Sequence, residues 1–218
     1  MLWPTICIDD FFNDPLSVKN FANTLDFKKD SEGGWPGERT ELLHNINNDF
    51  FNYTTAKIMS VLFPMNHKKL NWNAIQTFQR TNGNIYTNNG WVHTDPNEFT
   101  SIIFLSNHKK CGTSLFKKTK VTSTIINADF KKNYYKNTEK IKTEEEKYLK
   151  ENNDQFEKTI TLNSRFNRMI LFDSSNLHAA EKYGEEDLNE DRLTLVTFFT
   201  NVIGNENKYP ISEMRRLG

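Results

Sequence analysis

The chain has 218 residues, with 28 basic and 28 acidic side chains and a formal net charge of zero. That balance excludes a chain-wide attraction to nucleic acid or to a membrane surface. Phenylalanine alone supplies 17 residues, a content foreign to disordered chains and sufficient for one sizeable core. A single domain over residues 1–218 is expected. Cys7 and Cys111 are too few for a disulfide framework and neither lies in a CxxC pair, so both are expected to be reduced. The N-terminus lacks the basic and apolar regions of a signal peptide, and no stretch approaches the roughly 18 apolar residues that span a bilayer. The expectation is a cytoplasmic protein with neither membrane nor nucleic acid as partner.

Residues 3–8 read as a short strand. Asp14 and Pro15 then form a helix start: the carboxylate can cap free backbone N–H groups, and proline tolerates the first helical position. Leu16, Phe21 and Leu25 follow at helical spacing and are expected to face inward. Residues 31–40 are dense in Gly and Pro and read as a loop. Within it, Trp35-Pro36-Gly37-Glu38-Arg39 has two readings, a rim of an active site or a loop anchored by a buried indole. A second helix is expected from about residue 48 to 62, with Phe51, Ile58 and Leu62 on one side and Pro64 as its stop. Residues 1–69 thus form a helical support.

From residue 70 the pattern changes. Residues 74–80, 99–105, 112–117, 168–172 and 192–200 are strand-length runs rich in β-branched and aromatic residues, the third entered through Gly112. Several short strands with helices packed outside point to a sandwich or jelly-roll barrel. Residues 201–218 read as a tail. The segment 129–158 is crowded with Lys, Glu and Asn, with an exposed helix expected at 143–152. It is either a solvated insertion or a lid over the barrel mouth. The run from Lys131 through Tyr134 and Tyr135 to Lys136 reads as a solvated face that could also meet an acidic partner.

The chemistry centres on Trp91-Val92-His93-Thr94-Asp95. In an extended strand, alternate residues share a face, so His93 and Asp95 project side by side and could bind one divalent metal. A lone HxD arises often by chance. His178, after the apolar run that ends at Phe172, could complete a set of two histidines and one carboxylate that leaves one side of Fe(II) open. Arg192 and Thr194 open the next strand and face the same way; a guanidinium with a neighbouring hydroxyl suits a carboxylate. The competing reading pairs Arg192 with the acidic residues at 185–187, 190 and 191. His44, His67 and His108 read as bystanders, His108 at an exposed turn. Among the tryptophans, Trp91 is the one placed to shape a pocket.

In this order, His93-Thr94-Asp95, His178 and Arg192-Leu193-Thr194 resemble the HxD…H…RxS/T signature of the Fe(II)/2-oxoglutarate-dependent oxygenase superfamily. The small-residue strand start at Gly112, Asn84-Ile85-Tyr86 before the HxD, and the Pro15-led helix resemble its prolyl-hydroxylase-like branch of bacterial and phage type. The resemblance covers residues 70–200 well and the first 70 loosely. It implies a mainly β fold, a double-stranded β-helix (jelly roll) with N-terminal helices outside and a charged, partly helical insertion. It implies Fe(II) on His93, Asp95 and His178, and 2-oxoglutarate on Arg192 and Thr194 with Tyr86 as a further hydrogen-bonding candidate. O2 would be consumed, succinate and CO2 released, and a peptidyl proline or small metabolite hydroxylated. Arg192 departs from the lysine usual in prolyl 4-hydroxylases, and Asp95 departs from the small residue of halogenases. A non-catalytic jelly-roll binding module and a cupin-like metalloprotein that does not use 2-oxoglutarate remain open alternatives.

Overall fold

The computed structural model describes residues 3–64, 70–86, 88–125, 128–136, 143–185, 188 and 190–204. The N-terminal part contributes β1 (Ile6–Ile8), α1 (Pro15–Asn23), β2 (Lys28–Lys29), β3 (Glu38–Arg39), α2 (Leu43–Ile46) and α3 (Asn48–Leu62). Then follow β4 (Leu70–Thr81), β5 (Phe99–Phe104), β6 (Thr113–Lys118), α4 (Ala128–Lys136) and α5 (Thr143–Asn153). The chain continues through β7 (Phe156–Leu162), β8 (Met169–Asp173), β9 (Leu177–Ala180) and β10 (Arg192–Gly204).

These strands form a seven-stranded sheet in the order β1-β8-β5-β10-β4-β3-β2 and a three-stranded sheet in the order β7-β6-β9. Every pairing is antiparallel. The fold is mainly β, a jelly roll whose two sheets do not close into a barrel.

The two-residue period of the strands gives the large sheet two different faces. Leu193, Leu195 and Phe199 of β10 join Phe78, Phe99, Ile103 and Leu171 on one face, where α2 and α3 supply Leu43, Ile58, Met59 and Leu62. Arg192, Thr194, Val196 and Phe198 alternate with them and line a cavity on the other face. A buried polar chain ties α3 to the sheet: Thr54 Oγ1 donates to Gln76 Oε1, and Gln76 Nε2 donates to Thr197 Oγ1, each at 2.8 Å. Phe99 centres the outer core, stacked 4.4 Å from Phe199 and tilted against Trp3 at 4.5 Å. Truncating a buried phenylalanine costs about 3–5 kcal/mol. Phe99→Ala is therefore expected to lower the urea midpoint by that amount of stability with the m-value unchanged, as an equilibrium unfolding curve will show.

The helix starts are those the sequence specifies. Asp14 Oδ1 accepts from Ser17 N at 3.1 Å, with Pro15 as the first helical residue, and Asn47 Oδ1 accepts from Phe50 N at 3.0 Å. Leu16 corrects the sequence reading: it is 61% exposed, while Phe21 and Leu25 pack on the core. The loop at 31–40 contains β3, which adds an edge pairing to β4. Three further strands went unread, β2 with its two residues, β7 and β9. β7 carries Glu157 and Lys158 because it is an edge strand whose middle faces solvent, and only Phe156 and Leu162 are buried. β9 has four residues, too few to show a period. Gly112 is required by close approach, since a Cβ there would overlap the Leu162 carbonyl oxygen.

The charged insertion is not simply a solvated face. Tyr134 and Tyr135 of α4 and Leu149 of α5 are buried with Tyr86, Trp91 and Tyr183 in a second aromatic core. The strand β10 continues to Gly204, four residues into the segment read as a tail, and the rest of that segment lies outside the described residues. Among the described residues no helix is long and apolar enough to cross a membrane. Cys7 and Cys111 are both free.

Candidate active site

The segment at 90–95 is held against β9 and the turn before it. His93 and His178 exchange backbone hydrogen bonds of 3.0 and 2.9 Å, Asp95 N donates to Ser174 O at 2.9 Å, and Gly90 N donates to Ala180 O at 2.7 Å. His93 is thus in one isolated bridge to His178 rather than in a regular ladder, a departure from the expected strand. The turn itself is fixed by Asp173, whose Oδ1 accepts from Ser175 N and Ser175 Oγ while Oδ2 accepts from Trp3 N.

This pairing brings the three candidate ligands together. His93 Nε2 lies 3.5 Å from Asp95 Oδ1, and His178 Nε2 lies 3.3 Å from Asp95 Oδ2. His93 Nδ1 is 2.7 Å from Trp91 O and His178 Nδ1 is 2.8 Å from Asn176 O. A carbonyl oxygen only accepts, so both rings carry a proton on Nδ1, and in the neutral form each turns an Nε2 lone pair toward the carboxylate. Two lone pairs and a carboxylate facing one point repel unless a cation is shared between them. Burial, with Lys131 and His178 nearby, pushes His93 down to about 4 against the opposing pull of Asp95. Burial works against ionisation of Asp95, but contact with His178 and His93 in their protonated form outweighs it and holds the carboxyl well below the usual carboxylate range. The donor set, two neutral imidazoles and one carboxylate with a cavity on the open side, fits a divalent metal bound with vacant positions rather than a closed four-ligand site.

The cavity beside the three candidate ligands has a volume of about 180 Å³. Arg192 and Thr194 both line it, on adjacent alternate positions of β10. Arg192 is 4% exposed, its Nε donates to Cys111 O at 2.9 Å, and its guanidinium lies 5.4 Å from the Phe104 ring. Among the described residues it makes no ion pair, so the competing reading of Arg192 as a partner of nearby acids finds no support there. Burial lowers its pKa, yet a guanidinium remains protonated at neutral pH. A buried positive charge without a carboxylate partner is costly unless a ligand supplies one.

Tyr86 is the site candidate that the structure places elsewhere. It is 1% exposed and does not line the cavity. Its hydroxyl accepts from Gly37 N and Lys29 Nζ and donates to Tyr135 O, because it packs under α4 in the aromatic core. Tyr135 and Tyr183 line the cavity instead, their hydroxyls 3.1 Å apart. Trp91 likewise packs in that core, and Trp35 is the tryptophan that faces the cavity. His108 is fully buried rather than at an exposed turn: Nε2 meets Glu190 O at 3.0 Å and Nδ1 lies 3.8 Å from Glu185. His108, Cys111 and Glu185 form a second three-donor group away from the cavity. Glu185 Oε2 there already accepts two backbone N–H groups, and burial pushes the Cys111 thiol up to about 11. His44 is exposed, and His67 lies outside the described residues.

The sequence also gave no hint of what steadies the ligand segment. Asn153, at the end of α5, accepts from Val92 N at 2.9 Å and donates to Gly90 O at 2.9 Å, and Asn152 donates to Val92 O at 3.0 Å. The insertion therefore clamps the backbone on which His93 sits. Loss of such supporting contacts typically lowers metal affinity about 10- to 100-fold. Asn153→Ala is expected to weaken Mn(II) binding by roughly tenfold, measured calorimetrically, while the melting temperature changes by only a few degrees.

Solved structures with the same fold share little sequence with this chain. HygX from Streptomyces hygroscopicus, with nickel and 2-oxoglutarate bound, is 12% identical, with 90% of this chain and 82% of that chain covered at a TM-score of 0.54. The non-heme alpha ketoglutarate dependent epimerase SnoN from nogalamycin biosynthesis is 10% identical, with coverages of 90% and 77% and a TM-score of 0.53. EvdO2 from Micromonospora carbonacea var. aurantiaca is also 10% identical, with coverages of 94% and 90% and a TM-score of 0.53. At these identities the likeness establishes the jelly-roll fold. No curated protein matches the sequence. The model of DUF6445, described as a family of unknown function, matches residues 3–199, and the chain belongs to that family.

Proposed function

We propose that the chain is an Fe(II)- and 2-oxoglutarate-dependent oxygenase acting on a small molecule. The observation that carries this reading is the convergence on one cavity of His93, Asp95, His178 and a buried Arg192 that lacks a carboxylate partner among the described residues. The similar folds of HygX and SnoN, whose structures hold 2-oxoglutarate or alpha ketoglutarate, support it. When bound, iron and its cosubstrate would supply the oxidising chemistry, with O2 consumed and succinate and CO2 released.

The chain's own residues do the rest. His93 and His178 present Nε2, locked by their Nδ1–H bonds to Trp91 O and Asn176 O, and Asp95 completes the ligand set. Arg192 offers a guanidinium, and Thr194 a hydroxyl, to the far carboxylate of 2-oxoglutarate. Tyr135 and Tyr183 remain neutral phenols, since burial raises both, and they wall the cavity with Ile102, Phe172 and Val196 against bulk water. Asp95 stands where halogenases have a small residue, which favours hydroxylation or a related oxidation. The prolyl-hydroxylase-like branch remains the finer placement that the sequence signature supports. A cavity walled by α4 and the Trp35 loop favours a small molecule over a peptidyl proline.

The test is succinate production. Protein loaded anaerobically with Fe(II) and 2-oxoglutarate and then exposed to O2 is expected to form succinate, detected by NMR, and the His93→Ala variant to form none. Iron-loaded, folded protein that forms no succinate contradicts the reading.

A further inference from the structure

Three cationic side chains line the cavity, and the proposed function uses only Arg192. The other two reach it from different elements, Arg39 from β3 at the sheet edge and Lys131 from α4. The two guanidinium groups rest on different rings, Arg192 against Phe104 and Arg39 at 5.5 Å from Phe198. Arg39 also stacks 4.4 Å over Trp35, which fixes its guanidinium plane.

Neither cation has an ion-pair partner among the described residues. The Nε–H of Arg39 and the Nε1–H of Trp35 are both buried without a hydrogen-bond partner among the described residues, and both residues line the cavity. Buried polar groups in folded proteins are nearly always satisfied, so two orphaned donors side by side point to an acceptor that arrives with a ligand. Asp30 and Asp95 act on Arg39 from a distance, and Asp95 also acts on Lys131. Among the described residues Asp95 is the single carboxylate in the cavity lining, and on the oxygenase reading it belongs to the metal. With iron, Asp95, 2-oxoglutarate and Arg192 in place, those charges cancel, and the positive charges of Arg39 and Lys131 are left over.

Resting on the oxygenase reading, we infer that the substrate is an acid, a small molecule whose carboxylate or phosphate group is held by Arg39, Lys131 and the Trp35 indole N–H. Planar, stacked guanidinium and a point-charge ammonium together are a recognised way to hold an oxyanion in a fixed orientation. The acidic group anchors beside Trp35, and the remainder of the molecule lies toward the His93–Asp95–His178 cluster past Val196 and Phe172.

The test is calorimetric titration of protein saturated with Mn(II) and 2-oxoglutarate, using benzoate, phenyl phosphate and the neutral benzamide as probes. At least one of the two anions is expected to bind saturably, with benzamide at least tenfold weaker; which anion binds better separates a carboxylate from a phosphate substrate. Arg39→Gln is expected to weaken the anion about tenfold or more, and Lys131→Met several-fold, with the affinity for Mn(II) and 2-oxoglutarate retained. Arg39→Lys recovers part of the loss, which separates recognition from a folding defect. Benzamide binding as tightly as both anions overturns the inference. So does an anion that binds Arg39→Gln as tightly as the parent, the behaviour of a probe that only displaces 2-oxoglutarate from Arg192. If the parent fails to take up Mn(II) and 2-oxoglutarate, the oxygenase reading fails by itself. The same titrations on metal-free protein then still decide whether Arg39 and Lys131 hold an anion.

Discussion

His178→Ala is expected to weaken Mn(II) binding by more than about 100-fold and to reduce oxidation to background. Removing a supporting contact around a metal ligand already costs about 10- to 100-fold, and removing the ligand itself costs more. His178 cannot be replaced from nearby. Its ring is fixed by Asn176 O and lies 4.8 Å from the ring of Phe172, and the described residues bring no histidine to the cavity besides His93, already in the ligand set. The backbone bridge between His93 and His178 survives the substitution because it uses only main-chain atoms. The fold should therefore persist. Calorimetry with Mn(II) beside a thermal melt checks both halves, and retained metal affinity in the alanine variant would remove His178 from the ligand set.

Arg192→Gln is expected to raise the apparent KM for 2-oxoglutarate roughly 10- to 150-fold while leaving Mn(II) affinity nearly unchanged. A charge-assisted hydrogen bond contributes about 1.5–3 kcal/mol, and each 1.4 kcal/mol is about tenfold. Arg192→Lys keeps the charge and loses the fork, so an intermediate effect is expected. Because Arg192 Nε also donates to Cys111 O, the glutamine variant carries a stability cost of about 1–2 kcal/mol as well. A KM series over 2-oxoglutarate concentration, with a melt for each variant, separates the two effects. An unchanged KM would mean that the buried guanidinium serves the fold alone.

The candidate metal ligands and Arg192 were legible because each lies in a local pattern. His93 and Asp95 are two residues apart, His178 follows a clear apolar strand, and Arg192 opens the longest one. The two-residue period also placed Arg192 and Thr194 on the cavity face, and the strand register agrees. Helix α3 was readable over its whole length because Asn47 caps it and its apolar positions repeat at helical spacing.

What the sequence hid was long-range. Arg39 lies in a Gly- and Pro-rich loop, and Lys131 in a run that reads as solvated. They meet only because β3 pairs with β4 and α4 folds over the cavity mouth. The tyrosines of that run are buried for the same reason, and no period within nine helical residues announces a partner in a distant strand. Tyr86 shows the reverse error. Its position before the HxD suggested the cosubstrate, but α4 covers it and Tyr135 takes the cavity-facing place. β7 escaped because an edge strand needs no apolar face along its middle.

The most direct measurement is an anaerobic titration of the metal-free protein with Fe(II) and then 2-oxoglutarate, followed by visible absorption, with His93→Ala and Arg192→Gln alongside. The expected result is a weak charge-transfer band of the iron–2-oxoglutarate chelate in the parent, absent in His93→Ala and requiring far more 2-oxoglutarate in Arg192→Gln. A folded parent protein that gives no band at saturating Fe(II) and 2-oxoglutarate would contradict the oxygenase assignment.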